Sequence, residues 1–248
     1  MKVLIVKGRL ESFGLRPGRR IGGSYEVERF LGGGSEGEVY QVRDRTTGLH
    51  RAAKIYFPHH DKLNRIPVAL ARKLDKLRHC PMVLQYLHST EVKIRGYRAL
   101  AVISELCAAE PLQTWIDRHR GRRVHPYVAL TVFHELVRGI ETIHANGEYH
   151  SDVDTENIMI EQSGIRFRLK LIDFYEWGKP TKHKMQQDIL GAVHVLYNMI
   201  GGKAHYGRSP AEVRYICCNL RTSKILERFP AIAAMRHYTE SFEPRTLF

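Results

Sequence analysis

The stretch HSDVDTEN at residues 150–157, together with LKLIDF at residues 169–174, decides how the rest of this sequence is interpreted. It places Asn157 five positions after Asp152, and Asp173 sixteen positions after Asn157. Two carboxylates and one amide therefore stand at fixed intervals along the chain. A pattern this short also arises by chance, so its meaning depends on the sequence before and after it.

The composition limits the class of protein. The chain has 248 residues, 43% of them hydrophobic and 26% charged, which is ordinary for a globular protein of one large domain or two lobes. Its four cysteines lack metal-ligand spacing and are too few for a disulfide scaffold, which favours a cytoplasmic location. No apolar stretch approaches membrane-spanning length, so we expect no membrane association.

The charge balance is strongly basic. Lys and Arg exceed Asp and Glu by 13, and the isoelectric point is about 9.7. This excess is compatible with nucleic acid, an anionic surface or an acidic substrate. The basic residues are scattered and no aromatic platform is interleaved with them, so nucleic-acid binding is not expected. One local cluster, RHRGRR, occupies residues 118–123.

The pattern of apolar residues divides the chain into three parts. Residues 1–24 are predicted to be a loosely ordered arm with one short strand at 2–6. Residues 25–106 carry strand-like alternation, and residues 107–248 are mainly helical. The predicted strands lie within residues 25–56 and at 83–92 and 98–105, and the predicted helices lie at 66–78, 126–145 and 186–200. Two or three short helices are expected after residue 200.

A small β-rich half followed by a helical half predicts an α+β protein with two lobes, joined near Glu105–Pro111. The sequence shows neither internal repeats nor low-complexity segments, so a single domain built from the two lobes is expected.

A glycine cluster lies between two predicted strands. The sequence LGGGSEGEV at residues 31–39 fits G-x-G-x-x-G-x-V through Gly32, Gly34, Gly37 and Val39. Glycines let backbone N–H groups approach phosphates without clashes from Cβ atoms. The motif alone also fits a glycine-rich hairpin turn. Lys54, on the next predicted strand, strengthens the first interpretation because a lysine there can reach the phosphates.

Taken together and in this order, these features resemble the protein kinase family over residues 25–200. The resemblance implies that Asp152 is the catalytic carboxylate, which orients or deprotonates the attacking hydroxyl. It implies that Asn157 and Asp173 hold Mg²⁺ and that Lys54 holds the phosphates of ATP. Asp152, Lys54 and Asn157 are therefore the predicted catalytic residues.

The resemblance also predicts the adenine pocket. Val39 and Ala52 are expected to cover one face of the base, and Met159 the other. Backbone groups of Glu105 and Cys107 are expected to pair with the adenine edge.

Two further positions are assigned by the same resemblance. Ser104 would guard the pocket behind the adenine. Asp188 would brace the catalytic loop, which is the stretch at residues 150–157. It also fits a carboxylate at a helix N-terminus that the helix dipole stabilises. Both interpretations of Asp188 can hold at once.

The sequence departs from the family pattern around Lys54. No Glu occurs between Lys54 and Glu91, although this lysine normally pairs with a Glu on the helix that follows. Asp75 is the nearest acid on the predicted helix. Glu36 or Glu38 could substitute for the missing Glu, or the lysine could act unpaired.

The segment that follows the catalytic loop also departs from the pattern. Ser151 replaces the Arg that reads a phosphorylated activation loop. Asp188 follows Asp173 by only fifteen residues, without an Ala-Pro-Glu sequence between them. An Arg that reads a loop has no use without that loop, so we expect no control by activation-loop phosphorylation.

Two more replacements lie close to the predicted site. Asp154 replaces a Lys that contacts the transferred phosphate, and a basic group from residues 182–184 (Lys-His-Lys) would have to offset its charge. Tyr175 replaces a Gly whose backbone freedom allows the segment to switch. The sequence therefore predicts a site that is held in one arrangement.

The resulting functional prediction is an ATP- and Mg²⁺-dependent phosphotransferase. The main expectation is a minimal Ser/Thr protein kinase that acts on a protein substrate or on one dedicated partner protein. The alternatives are a nucleotide-binding pseudokinase or scaffold module, a small-molecule kinase of related fold, and an enzyme that transfers AMP.

Overall fold

The structure is a computed structural model that describes the backbone of residues 5–6, 9–10, 12–58, 65–94, 96–174 and 178–242, and side chains from residue 12 onward except those of residues 65–67. The chain divides into two compact units. The first unit comprises Met1–Arg78 and Leu84–Cys107, and the second comprises His79–Val83 and Ala108–Phe248.

The first unit is built on an antiparallel sheet. Within its described residues the strand order is β3-β4-β5-β6-β8-β7, and a separate hairpin pairs β1 with β2. One helix, α1, accompanies the sheet. The elements are β1 (Ile5–Val6), β2 (Arg9–Leu10), β3 (Arg20–Ile21), β4 (Tyr25–Gly33), β5 (Gly37–Asp44), β6 (His50–Tyr56), α1 (Arg65–Lys76), β7 (Tyr86–Ile94) and β8 (Tyr97–Glu105).

The predicted strand pattern is confirmed in this unit. Along β5, Tyr40 and Val42 are fully buried because alternate side chains of a strand point to the same face. The turn to β6 is closed by Asp44, whose Oδ1 accepts the backbone N–H groups of Thr46 and Thr47 at 2.9 and 3.0 Å. Gly48 adopts φ +73° in this turn, a conformation that glycine reaches without a steric penalty.

Residues 12–21, which the sequence predicts to be loosely ordered, belong to the core of the first unit. Phe13 is 1% exposed, its ring lies 5.0 Å from that of Phe57, and Ile21 is fully buried. The backbone N–H of Leu15 donates to Tyr40 Oη at 3.2 Å. The prediction failed because three scattered apolar residues in a Gly- and Arg-rich segment give no periodicity.

The second unit is mainly helical and contains one small sheet, of order β11-β10-β9. Its elements are β9 (Glu110–Pro111), α2 (Leu112–Asp117), α3 (Pro126–Ala145), β10 (Ile158–Ser163), β11 (Arg166–Leu171), α4 (Lys182–Met199), α5 (Lys203–Tyr206), α6 (Ala211–Cys217), a 3₁₀ turn (Cys218–Leu220), α7 (Thr222–Arg228) and α8 (Ile232–Ser241).

Helices α3 and α4 form the centre of the second unit, and both begin with recognisable caps. The ring of His125 accepts the backbone N–H of Tyr127 at the start of α3, and Pro126 occupies the first helical position. Thr181 Oγ1 accepts the backbone N–H of Lys184 at the start of α4. The bounds predicted for α3 are confirmed, and α4 begins four residues earlier than predicted.

Two features of the second unit were not predicted. The strands β10 and β11 flank the turn at Gly164, whereas the apolar pattern predicted that this half of the chain is mainly helical. After residue 200 the described chain contains five short helical segments instead of two or three. Short segments of three to ten residues carry too few turns to show a helical period. No helix among the described residues has the length and apolar character to span a membrane.

Candidate active site

Residues 150–157 form an extended loop before β10, and this loop brings Asp152 and Asn157 together. Asn157 Nδ2 donates to the Asp152 carboxylate Oδ2 and to its backbone oxygen, each at 2.9 Å. The side chain of Asp152 is exposed to solvent and that of Asn157 is half-buried. The arrangement presents one carboxylate at the surface of the unit, held at a fixed angle by the amide.

Asp188 holds the start of this loop from helix α4. Its carboxylate is completely buried and accepts the backbone N–H groups of His150 at 2.9 Å and Ser151 at 2.6 Å. His144 Nε2, near the end of α3, donates to the same carboxylate at 2.9 Å. Buried charges are tolerated only when they are hydrogen-bonded in this way.

The second interpretation of Asp188, as a carboxylate at a helix N-terminus, is wrong. Helix α4 begins at Lys182 and has no acidic residue in its first turn. Asp188 lies in the second turn, where the effect of the helix dipole has largely faded.

His150 connects the loop to the segment that follows β11. Its Nε2 donates to the backbone oxygen of Ile172 at 2.9 Å, and its Nδ1 accepts the backbone N–H of Asp152 at 3.2 Å. Its ring also lies 4.5 Å from the ring of Phe174. His150 therefore contacts both neighbours of Asp173, whose side chain is exposed and whose backbone has φ +56°.

The residues around Asn157 fit a magnesium ion. Both N–H groups of the Asn157 amide point to Asp152, which leaves Oδ1 as the atom that can bind a cation. The described residues contain no group of three or more His, Cys, Asp or Glu that could hold a metal. Mg²⁺ does not need one, because it commonly takes one or two protein oxygens together with phosphate oxygens and water.

Asp154 and Ser151 adopt roles unlike those of the residues they replace. Asp154 Oδ1 accepts the backbone N–H of Glu156 at 3.1 Å, which closes a local turn of the loop. Ser151 has φ +74°, and its buried Oγ has no hydrogen-bond partner in the part of the chain that the structure describes. The side chain of Ser151 is thus dispensable for holding the loop, whereas its backbone N–H is not.

Tyr149 ties the catalytic loop to the segment that precedes α4. Its Oη donates to the backbone oxygen of Gly178 at 2.9 Å and accepts Lys184 Nζ at 2.8 Å. Lys184 was predicted to be one of the groups that offset Asp154, and that assignment stays a prediction. Tyr175, whose replacement of Gly predicted a fixed segment, lies outside the described residues.

The glycine loop belongs to the first unit and connects β4 to β5. The backbone N–H of Gly34 donates to Gly37 O at 3.0 Å. A Cβ atom at Gly37 would lie 2.1 Å from the backbone oxygen of Ile55, so only glycine fits there. Cβ atoms at Gly32 and Gly34 would meet no atom within 4 Å. The open space at these two glycines fits the approach of a phosphate to the backbone.

Lys54 on β6 pairs with an acid of the glycine loop. Its Nζ lies 3.6 Å from Glu36 Oε2, and both side chains are mostly buried. Glu38 instead accepts hydrogen bonds from Phe13 N, Ser12 Oγ and Tyr40 Oη. Of the two loop residues considered as substitutes for the missing helix Glu, Glu36 is therefore the one that contacts the lysine.

Asp75, the acid considered on helix α1, lies in a different environment. Its carboxylate is 3.5 Å from Arg78 Nη1, and both side chains are largely exposed. Asp75 is thus a surface residue of α1.

Four of the residues predicted to surround adenine lie on strands, three in the first unit and one in the second, and Cys107 follows β8. In the first unit, Val39 is paired with Lys54, and Ala52 with Ser104. Glu105 Oε1 accepts the backbone N–H of Gln85 at 2.9 Å.

The remaining two positions continue this set. Cys107 is the last residue of the first unit. In the second unit, Met159 on β10 is half-buried and pairs with Lys170 and Pro111. Binding of a base by these residues stays a prediction.

Two residues of this site were missed by the sequence analysis. His144 and Tyr149 belong to no motif, and both act through contacts with residues that are more than 25 positions away. Their only signal in the sequence was proximity to HSDVDTEN at residues 150–157.

Comparison with known proteins identifies the class to which this fold belongs. The crystal structure of the PknI kinase domain from Mycobacterium tuberculosis, solved as a double mutant, is similar with a TM-score of 0.66 and 16% identity, and the match covers 92% of this chain and 97% of that one. At this identity the match shows the fold alone. It confirms the predicted α+β class and protein-kinase-like fold.

The sequence match is more specific. The family described as protein kinase domain matches residues 25–195, and the chain belongs to this family. The chain is 28% identical over 190 residues to CBL-interacting protein kinase 22 of Oryza sativa subsp. japonica, which covers 69% of this chain and 41% of that protein. It is 33% identical over 156 residues to putative CBL-interacting protein kinase 27 of the same organism, covering 61% of this chain and 36% of that protein. The chain therefore spans less than half the length of these relatives.

Proposed function

We propose that this chain is a Mg²⁺-ATP-dependent Ser/Thr protein kinase domain. The observation that carries the proposal is the Asp152–Asn157 pair on a loop whose backbone is held by the buried carboxylate of Asp188. A general base must be accessible and rigidly placed, and Asp152 meets both requirements. The names of the curated relatives support the choice of a protein hydroxyl as acceptor.

Four residues have separate roles in the proposed transfer of phosphate. Asp152 orients the attacking hydroxyl and takes its proton as the new bond to the γ-phosphorus forms, while the bond from that phosphorus to the bridging oxygen breaks and ADP leaves. Asn157 and Asp173 would hold Mg²⁺, which when bound neutralises charge on the phosphates. Lys54 holds the phosphates from the first unit.

The nucleotide itself is held by the glycine loop and the adenine pocket. The backbone at Gly32, Gly34 and Gly37 lies along the phosphates, and the predicted adenine-binding residues are Val39, Ala52, Glu105, Cys107 and Met159.

The shortness of the segment after Asp173 supports the proposal that activation-loop phosphorylation does not control this enzyme. Ser151 carries no cation that could read a phosphate, and the backbone of Gly178 is fixed by Tyr149. A segment held in this way favours one constitutive arrangement of the site. The shortened segment also favours one dedicated protein substrate over many peptides.

One observation favours a second function, a pseudokinase that binds nucleotide without turnover. Lys54 is paired with Glu36 in the glycine loop instead of with a helix Glu. If Glu36 keeps the lysine on the glycine loop when nucleotide is bound, the lysine is not oriented as a helix Glu would orient it, and the chemical step is slow. Stabilisation by Mg²⁺-ATP without phosphate release or transfer would indicate this function.

The test is transfer from γ-labelled ATP to a panel of protein substrates and to the chain itself, in the presence of Mg²⁺. We expect Asp152→Asn to reduce kcat by at least about 100-fold while nucleotide binding is retained. Asp117→Asn, a surface change elsewhere in the second unit, is the matched control. Near-full activity of Asp152→Asn would contradict the assignment, and label transferred from the α-phosphate would indicate AMP transfer instead.

A further inference from the structure

A cavity lined by basic residues lies in the second unit, away from the loop at residues 150–157. Its volume is about 290 Å³, and it is formed by the chain on either side of the start of α3 and by the chain around α5. Its polar side chains are Arg123, His125, His205, Arg208 and Ser209. We refer to it as the α3–α5 pocket. No acidic residue is among the residues that line it.

The charges of the α3–α5 pocket are not compensated within the described residues. Arg123 Nη1 lies 3.2 Å from His205 Nδ1 and makes no ion pair there, and the Arg208 guanidinium makes neither a hydrogen bond nor an ion pair. Two neighbours of Arg123 in the sequence behave differently, since Arg118 pairs with Glu110, and Arg122 pairs with Asp117 at 2.8 Å. Arg123 and Arg208 thus bring two positive charges to the pocket without an ion pair among the described residues.

The hydrogen bonds of the two pocket histidines place the ring proton of each on Nε2. His205 Nδ1 accepts the N–H of Arg123, and His125 Nδ1 accepts the backbone N–H of Tyr127 at 3.3 Å. A neutral imidazole whose Nδ1 accepts must carry its proton on Nε2. The ring nitrogens left for a ligand are therefore both N–H donors, as are the guanidinium groups of Arg123 and Arg208.

Gly201 makes this convergence of basic groups possible. It adopts φ +88°, and a Cβ atom there would lie 2.6 Å from His205 Cδ2 and 3.1 Å from Arg123 Cβ. A side chain at this position would therefore push the two basic residues apart. The close contact between two basic side chains depends on the absence of a Cβ atom.

We propose that the α3–α5 pocket binds a phosphorylated Ser or Thr side chain of a partner protein. Four convergent N–H donors without a competing carboxylate match the oxygens of a phosphate monoester, which carries close to two negative charges. Val124, Pro126 and Ile200 add an apolar wall for the aliphatic part of such a side chain. A volume near the lower end of ligand pockets suits one such group.

The pocket is too far from the catalytic loop to bind the reacting phosphate. His125 and His144 lie at opposite ends of α3, so they are separated by roughly 28 Å at about 1.5 Å per residue. A ligand in the pocket would be a docking element of a protein that already carries a phosphate. The inference goes beyond the proposed function and does not depend on catalysis.

The experiment measures binding by fluorescence anisotropy with a pool of labelled peptides that carry a central phosphoserine between randomised residues. Three comparison ligands are used: the same peptide pool with unphosphorylated serine, inorganic sodium phosphate, and a single-stranded RNA of ten nucleotides. The test variant is Arg123→Gln combined with Arg208→Gln. The matched control is Arg166→Gln, which removes one exposed positive charge from β11.

We expect the phosphorylated pool to bind more tightly than the unphosphorylated pool, and the double variant to weaken this binding by at least about 10-fold. The control should bind as the wild type does. Equal binding of the two pools, or unchanged binding by the double variant, would overturn the proposal. If sodium phosphate displaces the phosphorylated peptides at a concentration similar to theirs, the pocket is a site for free anions. If the double variant loses more affinity for the RNA than for the phosphorylated peptides, the pocket is a nucleic-acid site. Either result overturns the assignment to a phosphoprotein.

Folding of the variants is checked by circular dichroism. If the double variant is unfolded, Arg208→Gln alone provides the test, because the guanidinium of Arg208 makes no bond within the described residues. The NMR signals of the His125 and His205 rings then report directly on the pocket. These signals should shift when the phosphorylated pool is added and stay unchanged with the unphosphorylated pool. Signals that do not shift with the phosphorylated pool, or that shift equally with both pools, would contradict the proposal.

Discussion

Oδ1 of Asp188 accepts the backbone N–H of Ser151 at 2.6 Å, although the two residues are 37 positions apart. The second oxygen of the same carboxylate accepts the backbone N–H of His150 and the ring N–H of His144. One buried side chain on α4 thus fixes the loop that carries Asp152. The position of the proposed catalytic base is set by a residue that does not touch the substrate.

Replacing Asp188 by Asn should destabilise the protein strongly. The amide retains one acceptor oxygen and turns an NH₂ group toward N–H donors, so buried donors lose their partner. We expect the free energy of unfolding in urea to fall by about 3–5 kcal/mol. Asp117→Asn, which removes an exposed pair with Arg122, should cost far less, because solvent screens that pair. Equal losses in the two variants would contradict a special role for Asp188.

Replacing Ser151 by Gly should stabilise the protein. Ser151 has φ +74°, which costs a residue with a Cβ atom more than it costs glycine, and its buried Oγ is not hydrogen-bonded in the described part of the chain. We expect a gain of about 1 kcal/mol and a rise in Tm of roughly 2–4 °C, measured by calorimetry. Ser163→Gly in β10 is the control and should lower Tm, because glycine weakens a strand.

Replacing Glu36 by Gln should tighten nucleotide binding. The change removes an anion from the loop that is proposed to cover the phosphates, and it releases Lys54 from its ion pair. We expect the Kd for ATP, measured by calorimetric titration, to fall by about 2–5-fold. Glu28→Gln on the neighbouring strand is the control, with no expected change. Weaker binding by Glu36→Gln would show that Glu36 orients the lysine for the nucleotide.

Cys217 should resist alkylation in the folded protein. The thiol is fully buried at the end of α6, and burial, together with the neighbouring Cys218, raises its pKa to about 12. Very little thiolate is present at pH 8, so iodoacetamide should label half-buried Cys107 well before Cys217, as read by mass spectrometry. Equal labelling rates would contradict this environment.

The same shift of pKa gives a pH dependence. The folded protein favours the neutral thiol, whose ordinary pKa is 9.0. The stability that comes from Cys217 is therefore complete below pH 9 and is lost as the pH rises toward 12. Cys217→Ala should flatten the alkaline part of the stability curve between these two pH values.

The sequence predicted the elements of regular length well. The 20 residues of α3 and the strands around the glycine loop show clear periods of 3.6 and 2, and these periods survive folding. The failures have different causes. Phe13 is buried against distant residues such as Phe57, and such contacts leave no local pattern, whereas the helices after residue 200 are too short to show a period.

The sequence by itself determined the family of this protein, because a motif records which residue types stand at which intervals. It also determined that the usual helix Glu is absent. Only the tertiary structure decided that Glu36 contacts Lys54, that Asp188 holds the catalytic loop through buried hydrogen bonds, and that two arginines and two histidines line one pocket. The physical reason is that spacing along the chain fixes composition and local geometry, whereas burial and hydrogen bonding depend on which distant segments fold against each other.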